Sequence, residues 1–249
     1  MPTTHLDAAA LRARVREAGA GTLKLRGSEV SFGGAELAGA LAAEGAGLTG
    51  LALFYNELGA DGWRAVFEAL RKGACPRLAT LNHTGCDLGP AGGAALAAAL
   101  VGGGCPALTE LSVEGNGLGD AGFGALAEAL GRGACPGMAR LNAQNNGLTV
   151  LPEALCGVAS LEELYIDYND IGSLPHGLLH LARLRRLYIG NNPRLAAEHE
   201  ITGYGEEDND VGALFAHLRS VHGGEPPVPK LVLEKQAEAE ALGLADKAL

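Results

Sequence analysis

The sequence predicts an α/β fold of the repeat-solenoid kind, and three observations carry that expectation. One short register recurs along most of the chain, each recurrence alternates apolar residues with the period of a strand, and the longer copies continue into an apolar pattern of helical period. The copies read LTGLALFYNEL from Leu48, LATLNHTGCDL from Leu78, LTELSVEGNGL from Leu108, MARLNAQNNGL from Met138, LEELYIDYNDI from Leu161 and LRRLYIGNNPRL from Leu184, after a degenerate first copy, AGTLKLRGSEV, from Ala20. Their pitch is 28, then 30, 30, 30, 23 and 23 residues. Within a copy the fourth and sixth positions, Leu51 and Leu53 or Leu164 and Ile166, turn inward on a short strand, so each copy buries its leucines only against its neighbours.

Composition agrees with such an array. Of 249 residues 38 are glycine, aromatics make up 4%, and the apolar 47% is mainly alanine and leucine, which suits a core of small side chains and closely approaching backbones. Nineteen basic against 29 acidic residues leave a formal charge of −10, which argues against nucleic-acid binding. No stretch reaches the roughly 18 to 20 apolar residues of a membrane span, so no membrane partner is expected. Five scattered cysteines without a CxxC pair give neither a disulfide framework nor a zinc signature and favour a reducing, cytoplasmic setting. Cys75, Cys105 and Cys135, in the same slot of successive copies, and Cys156, in a similar one, are expected to be buried packing residues.

The segment MPTTHLDAAALRARVREAG has no apolar run of the signal-peptide type, and Asp7 and Glu17 fit a transit peptide badly. It is expected to form an N-terminal cap within residues 1–19. A helix over residues 5–18 would start from a capping box of Thr4 and Asp7 and turn Leu6, Leu11 and Val15 to one face.

The copies follow the pattern LxxLxLxxN/CxL, and over residues 20–195 the chain resembles the leucine-rich repeat family. That resemblance implies a horseshoe with a parallel sheet on its concave face and helices on its convex face. It also implies that the ninth residue, Asn56, Asn116, Asn146, Asn169 and Asn192, with Cys86 and Ser28 as replacements, turns inward to satisfy backbone groups at the strand end. The longer copies, residues 20–137, are similar to the ribonuclease-inhibitor type and those of 138–195 to the shorter repeats of signalling proteins. The motif LP in the short copies leaves room only for a short helix or turn, so the curvature should change near residue 138.

Residues 196–249 depart from the pattern. An acidic loop precedes VGALFAHLRS, a capping helix with Val211, Leu214, Phe215 and Leu218 on one side, and DNDVG does not match a calcium loop. The following PVPKLVL and its flanks are similar to the junction between repeats and GTPase domain in Roco-type proteins. A P-loop there would fall on Lys235, Glu240, Ala241 and Leu242, none of which can cradle phosphate, so no nucleotide is expected. The other reading of the tail is a plain Ala/Glu-rich helix from about Glu234 to Leu249.

The outward residues of the strands are the candidate site. They include Phe54, Tyr55, Tyr165, Tyr168 and Tyr188, five of the chain's aromatics, which are suited to hold a protein partner unless Tyr165 and Tyr188 simply stack on each other. Glu110, Arg140, Glu163 and Arg186 occupy one strand position with alternating sign and read as a cross-strand charge ladder. Glu114, Glu162 and Asp167 are read as unpaired acid beside it, which suits a basic, aromatic-accepting partner. His83 takes the place of a core leucine and is expected to have a local bonding partner. His176 and His180 stand four apart with no third ligand, and no catalytic or metal residues and no cofactor are expected. The function expected is therefore a non-enzymatic protein-binding module. The alternative is a regulator of a small GTPase, Ran GTPase-activating-like or Roco-related, because Ran GTPase-activating proteins resemble the ribonuclease-inhibitor type and the tail resembles a Roco junction.

Overall fold

The computed structural model describes residues 4–27 and 30–195. Ser28 and the acidic loop, capping helix, tail and Roco-like junction expected over 196–249 lie outside those residues.

The chain starts with a two-residue strand, Thr4–His5 (β1), and a helix, Ala8–Ala18 (α1). The helix is three residues shorter than expected because Asp7 alone caps it, its carboxylate accepting from Ala10 N–H at 2.8 Å. Thr4 takes no part in that cap. It lies in β1, which pairs in parallel with Val30–Ser31 (β3) after the first repeat strand, Thr22–Arg26 (β2). Leu6, Leu11 and Val15 are buried, as their spacing requires.

Four helices follow in the long copies: Gly34–Glu44 (α2), Gly59–Arg71 (α3), Gly89–Val101 (α4) and Gly119–Gly131 (α5). They alternate with Gly50–Phe54 (β4), Thr80–Asn82 (β5) and Glu110–Ser112 (β6). Then come Arg140–Asn142 (β7), Glu163–Tyr165 (β8) and Arg186–Tyr188 (β9), separated only by the 3₁₀ turns Glu153–Gly157 and His176–His180. Strands β2 and β4 to β9 form one parallel sheet in chain order among the described residues. Its register runs through Leu23, Leu51, Leu81, Leu111, Leu141, Leu164 and Leu187, the fourth residues of the seven copies. The core lies between this sheet and the outer layer, with Trp63, Phe67 and Phe123 as its largest fully buried side chains.

The ninth-position asparagines tie one copy to the next. The Asn116 amide donates to the carbonyls of His83 (2.8 Å) and Val113 (2.8 Å), and its oxygen accepts from the N–H groups of Cys86 (3.0 Å) and Leu88 (3.3 Å). Asn146 and Asn169 repeat the pattern one and two copies later. Cys86 reproduces only half of it. Its thiol donates to the Leu53 carbonyl at 2.7 Å, but a thiol has no carbonyl oxygen to offer the preceding turn.

Glycine sets the spacing of the outer layer. A Cβ on Gly93 would stand 3.0 Å from the Gly122 backbone, and one on Gly131 would stand 2.0 Å from the Ala154 carbonyl oxygen, where α5 meets the first 3₁₀ turn. The same junction is clamped by Asp120, whose carboxylate accepts from the N–H of Thr149 and of Val150 and from the Thr149 hydroxyl. Burial draws the Asp120 pKa upward, but these bonds prevail and hold it below the usual carboxylate range.

His83 departs from expectation. It is fully buried, edge-on to Trp63 (centroids 5.1 Å apart) and to Phe67 (5.3 Å), and neither ring nitrogen has a hydrogen-bond partner among the described residues. The aromatic walls that accept the ring carry no acceptor near it, and burial pushes its pKa down to about 3.

Gly131→Ala should destabilise the chain by about 1–3 kcal/mol, because backbone has to move away from the new methyl group. Gly124→Ala, in the same helix with nothing within 4 Å of the new Cβ, should stabilise it by about 0.5–1 kcal/mol. Urea melts of the two variants check both signs. The unfolded chain binds a proton on His83 below about pH 6.5 that the folded chain refuses. Stability should therefore be level above that pH and fall by about 2 kcal/mol between about pH 6 and pH 4.5. His83→Leu should remove this part of the slope, as melts across that range would show.

Candidate concave binding face

Parallel register turns outward residues of equal position into rows. One row runs Thr22, Gly50, Thr80, Glu110, Arg140, Glu163 and Arg186, and the next runs Lys24, Ala52, Asn82, Ser112, Asn142, Tyr165 and Tyr188.

The first row carries a continuous ion-pair ladder. Arg140 reaches Glu110 at 2.6 Å and Glu163 at 3.3 Å, and Arg186 reaches Glu163 at 2.8 Å. Glu163 is the buried member, 4% exposed, and also accepts from the Tyr165 hydroxyl at 2.8 Å. Burial works against its charge, but that hydroxyl and the two guanidinium groups prevail and keep its pKa below the ordinary value. Burial, and then the Glu163 carboxylate, push the Tyr165 phenol up to about 12. In the second row the rings of Tyr165 and Tyr188 stack, 4.3 Å between centroids and 5° from parallel. The stack covers one face of Tyr165 and leaves the other toward Asn142, its partner on β7.

The acids beside the ladder are not unpaired. Glu114 accepts from the Asn142 amide (3.1 Å), Asp167 accepts from the Gln144 amide (2.7 Å) and from Gly190 N–H (3.0 Å), and Glu162 pairs with Arg185. Residues of an adjacent copy bring a donor to each, a match that charge alone does not reveal.

Between the aromatic groups lies a hollow of about 310 Å³. Phe54 stands at one end, with the Arg26 guanidinium 5.6 Å from its centroid, and Tyr165 stands at the other. Ala52, Thr80, Asn82, Ser112 and Asn142 form the floor, and Glu110 and Arg140 form one rim. The floor residues were not among the candidates. Their signal was present as a run of small residues in the middle copies at positions filled by aromatics in the last two.

Like Glu114 and Asp167, Tyr55 and Tyr168 do not lie on the strands. Each follows its strand in left-handed backbone (φ 56° for both) and stands at the rim, 57% exposed.

Burial pushes the thiols of Cys75 and Cys105 up to about 12 and that of Cys135 to about 11, so they are protonated at neutral pH. Cys156 is half-buried rather than buried. His176 and His180 share one 3₁₀ turn with their rings edge-on, 6.2 Å apart. Among the described residues no three metal-ligating side chains converge.

The repeat geometry has sequence counterparts. Residues 104–127 and residues 160–181 match two leucine rich repeat family models, one in a long copy and one in a short copy. Among solved structures the chain is similar to an internalin from Listeria monocytogenes. The two are 17% identical with a TM-score of 0.44, over 71% of this chain and 45% of the internalin chain. This chain thus spans less than half of that protein's length. No curated protein matches the sequence. The sheet, its register and its alternating outer elements define a leucine-rich-repeat solenoid of the α/β class.

A double-mutant cycle over Glu163→Gln and Arg186→Met should give a coupling of about 0.5–1 kcal/mol, modest because Arg186 is half exposed. The coupling should shrink at about 0.5 M salt, as thermal melts at both ionic strengths would test.

Proposed function

We propose that the chain is a non-enzymatic protein-binding module whose partner is held on the concave face. Leucine-rich-repeat domains generally mediate protein–protein interaction. The observation that carries the proposal for this chain is the hollow between Phe54 and Tyr165, a floor of small side chains walled by aromatic ones. Such walls are the usual anchors of an interface, since a rigid ring contributes much contact area for little lost freedom. The ladder of Glu110, Arg140, Glu163 and Arg186 holds one rim in place, with Glu163 fixing the Tyr165 ring from below. Glu114 and Asp167 lie past the strand ends, bonded to the amides of Asn142 and Gln144. We read the long copies as ribonuclease-inhibitor-like and the cytoplasm as the site of action, where the free thiols suit a reducing medium.

In a pull-down, the protein retained by the wild-type chain should be bound about tenfold or more less tightly by Tyr165→Ala/Tyr188→Ala. A thermal melt should show the variant still cooperatively folded. Equal affinity would remove the concave face from the reading.

A further inference from the structure

The turn after each strand of the sheet from β4 onward puts its eighth-position residue in left-handed backbone. The residues there are Tyr55 (φ 56°), Gly85 (65°), Gly115 (66°), Asn145 (52°), Tyr168 (56°) and Asn191 (53°). Glycine and asparagine take that conformation at little cost, whereas tyrosine is held in it against its preference. Neither tyrosine recovers the cost through burial, since both are 57% exposed. Tyr55 rests one part of its ring on Gly85, where a Cβ would meet Cδ1 at 2.5 Å, and turns the remainder to solvent. Two large rings are therefore displayed at positions where four sibling copies place glycine or asparagine.

The surroundings state which chemistry the rings suit. From the seventh to the eleventh position of each copy, this rim carries Glu57, Asp87, Glu114, Asp167 and Asp170 among the described residues. The cations over the same positions are Arg26, already seated over Phe54, and Arg194, 3.9 Å from Asp170. The ladder on the other side of the face is balanced in charge, so the excess of acid belongs to the tyrosine rim.

We propose that this rim docks a basic, extended segment of a protein partner, with Tyr55 and Tyr168 each receiving a Lys or Arg side chain on the open part of the ring. The proposal rests on the reading that the solenoid binds a protein. Four strand steps separate the two tyrosines, roughly 19 Å at the usual strand spacing, a span that an extended chain covers in about six residues. An even separation returns both side chains to one face, so the segment carries its two cations at i and i+6.

The test uses the full chain, calorimetry and two synthetic peptides, GRGSGSGRG and its glutamate counterpart GEGSGSGEG. The arginine peptide should bind saturably and the glutamate peptide should not. Tyr55→Asn/Tyr168→Asn should lower the affinity for the arginine peptide about tenfold or more. The same variant should melt about 2 °C or more above wild type, since Asn145 and Asn191 already occupy that backbone. Absence of wild-type binding, equal binding by the variant, equal binding of both peptides, or a melting temperature that does not rise would each overturn the proposal. The lysate experiment depends on Tyr165 and Tyr188 instead. A lysate partner retained equally by Tyr55→Asn/Tyr168→Asn would therefore overturn the rim alone and leave binding at the concave face standing.

Discussion

Where each strand ends, the chain turns and leaves amide and carbonyl groups facing the core, and one asparagine from the next copy answers both kinds at once. Asn116, Asn146 and Asn169 each donate to carbonyls of their own copy and the preceding one, and each accepts from two N–H groups of the preceding turn. An unpaired buried amide costs about as much as a lost hydrogen bond, so register cannot slip without several such losses. The leucine columns supply the driving force for stacking, but leucines alone would tolerate sliding. Where Cys86 replaces the asparagine, Trp63 stands over the gap and donates its indole N–H to the Cys86 carbonyl at 3.0 Å.

The same constraint makes the outward surface ordered. Once the register is pinned, residues of equal position stand side by side, which is why opposite charges form a ladder and Tyr165 meets Tyr188 face to face. Glu163 joins the two patterns through the Tyr165 hydroxyl, so the ring at the end of the hollow is braced by the ladder rather than left to rotate. In the middle copies the small side chains of Ala52, Thr80 and Ser112 keep the floor low between the aromatic ends.

The parts of this arrangement that depend on period and position were legible in the sequence. The leucine columns, the asparagine rungs, the strand order and the alternating charges of Glu110, Arg140, Glu163 and Arg186 follow from one register. What depends on where an atom points was not. Thr4 and Asp7 read as the two members of one capping box, but the pairing of β1 with β3 takes Thr4 out of it and Asp7 caps the helix instead. Glu114, Glu162 and Asp167 look unpaired until Asn142, Arg185 and Gln144 are placed beside them in adjacent copies. His83 was expected to find an acceptor, and its neighbours on α3 are instead Trp63 and Phe67. The hollow leaves only a faint mark in the sequence, a run of small residues that carry no reactive group.

The asparagine rungs also have a direction. Each reaches backward to the copy made before it, as Asn192 does to the Ile166 carbonyl and the Ile171 N–H. A copy leaving the ribosome therefore has its leucines ready to pack against the earlier copies, while its own turn waits for an asparagine not yet translated. Completion trails synthesis by one copy along the array. A pause in translation between Leu53 and Asn116 would hold the nascent chain at a rung supplied by a thiol, Cys86, rather than by an asparagine.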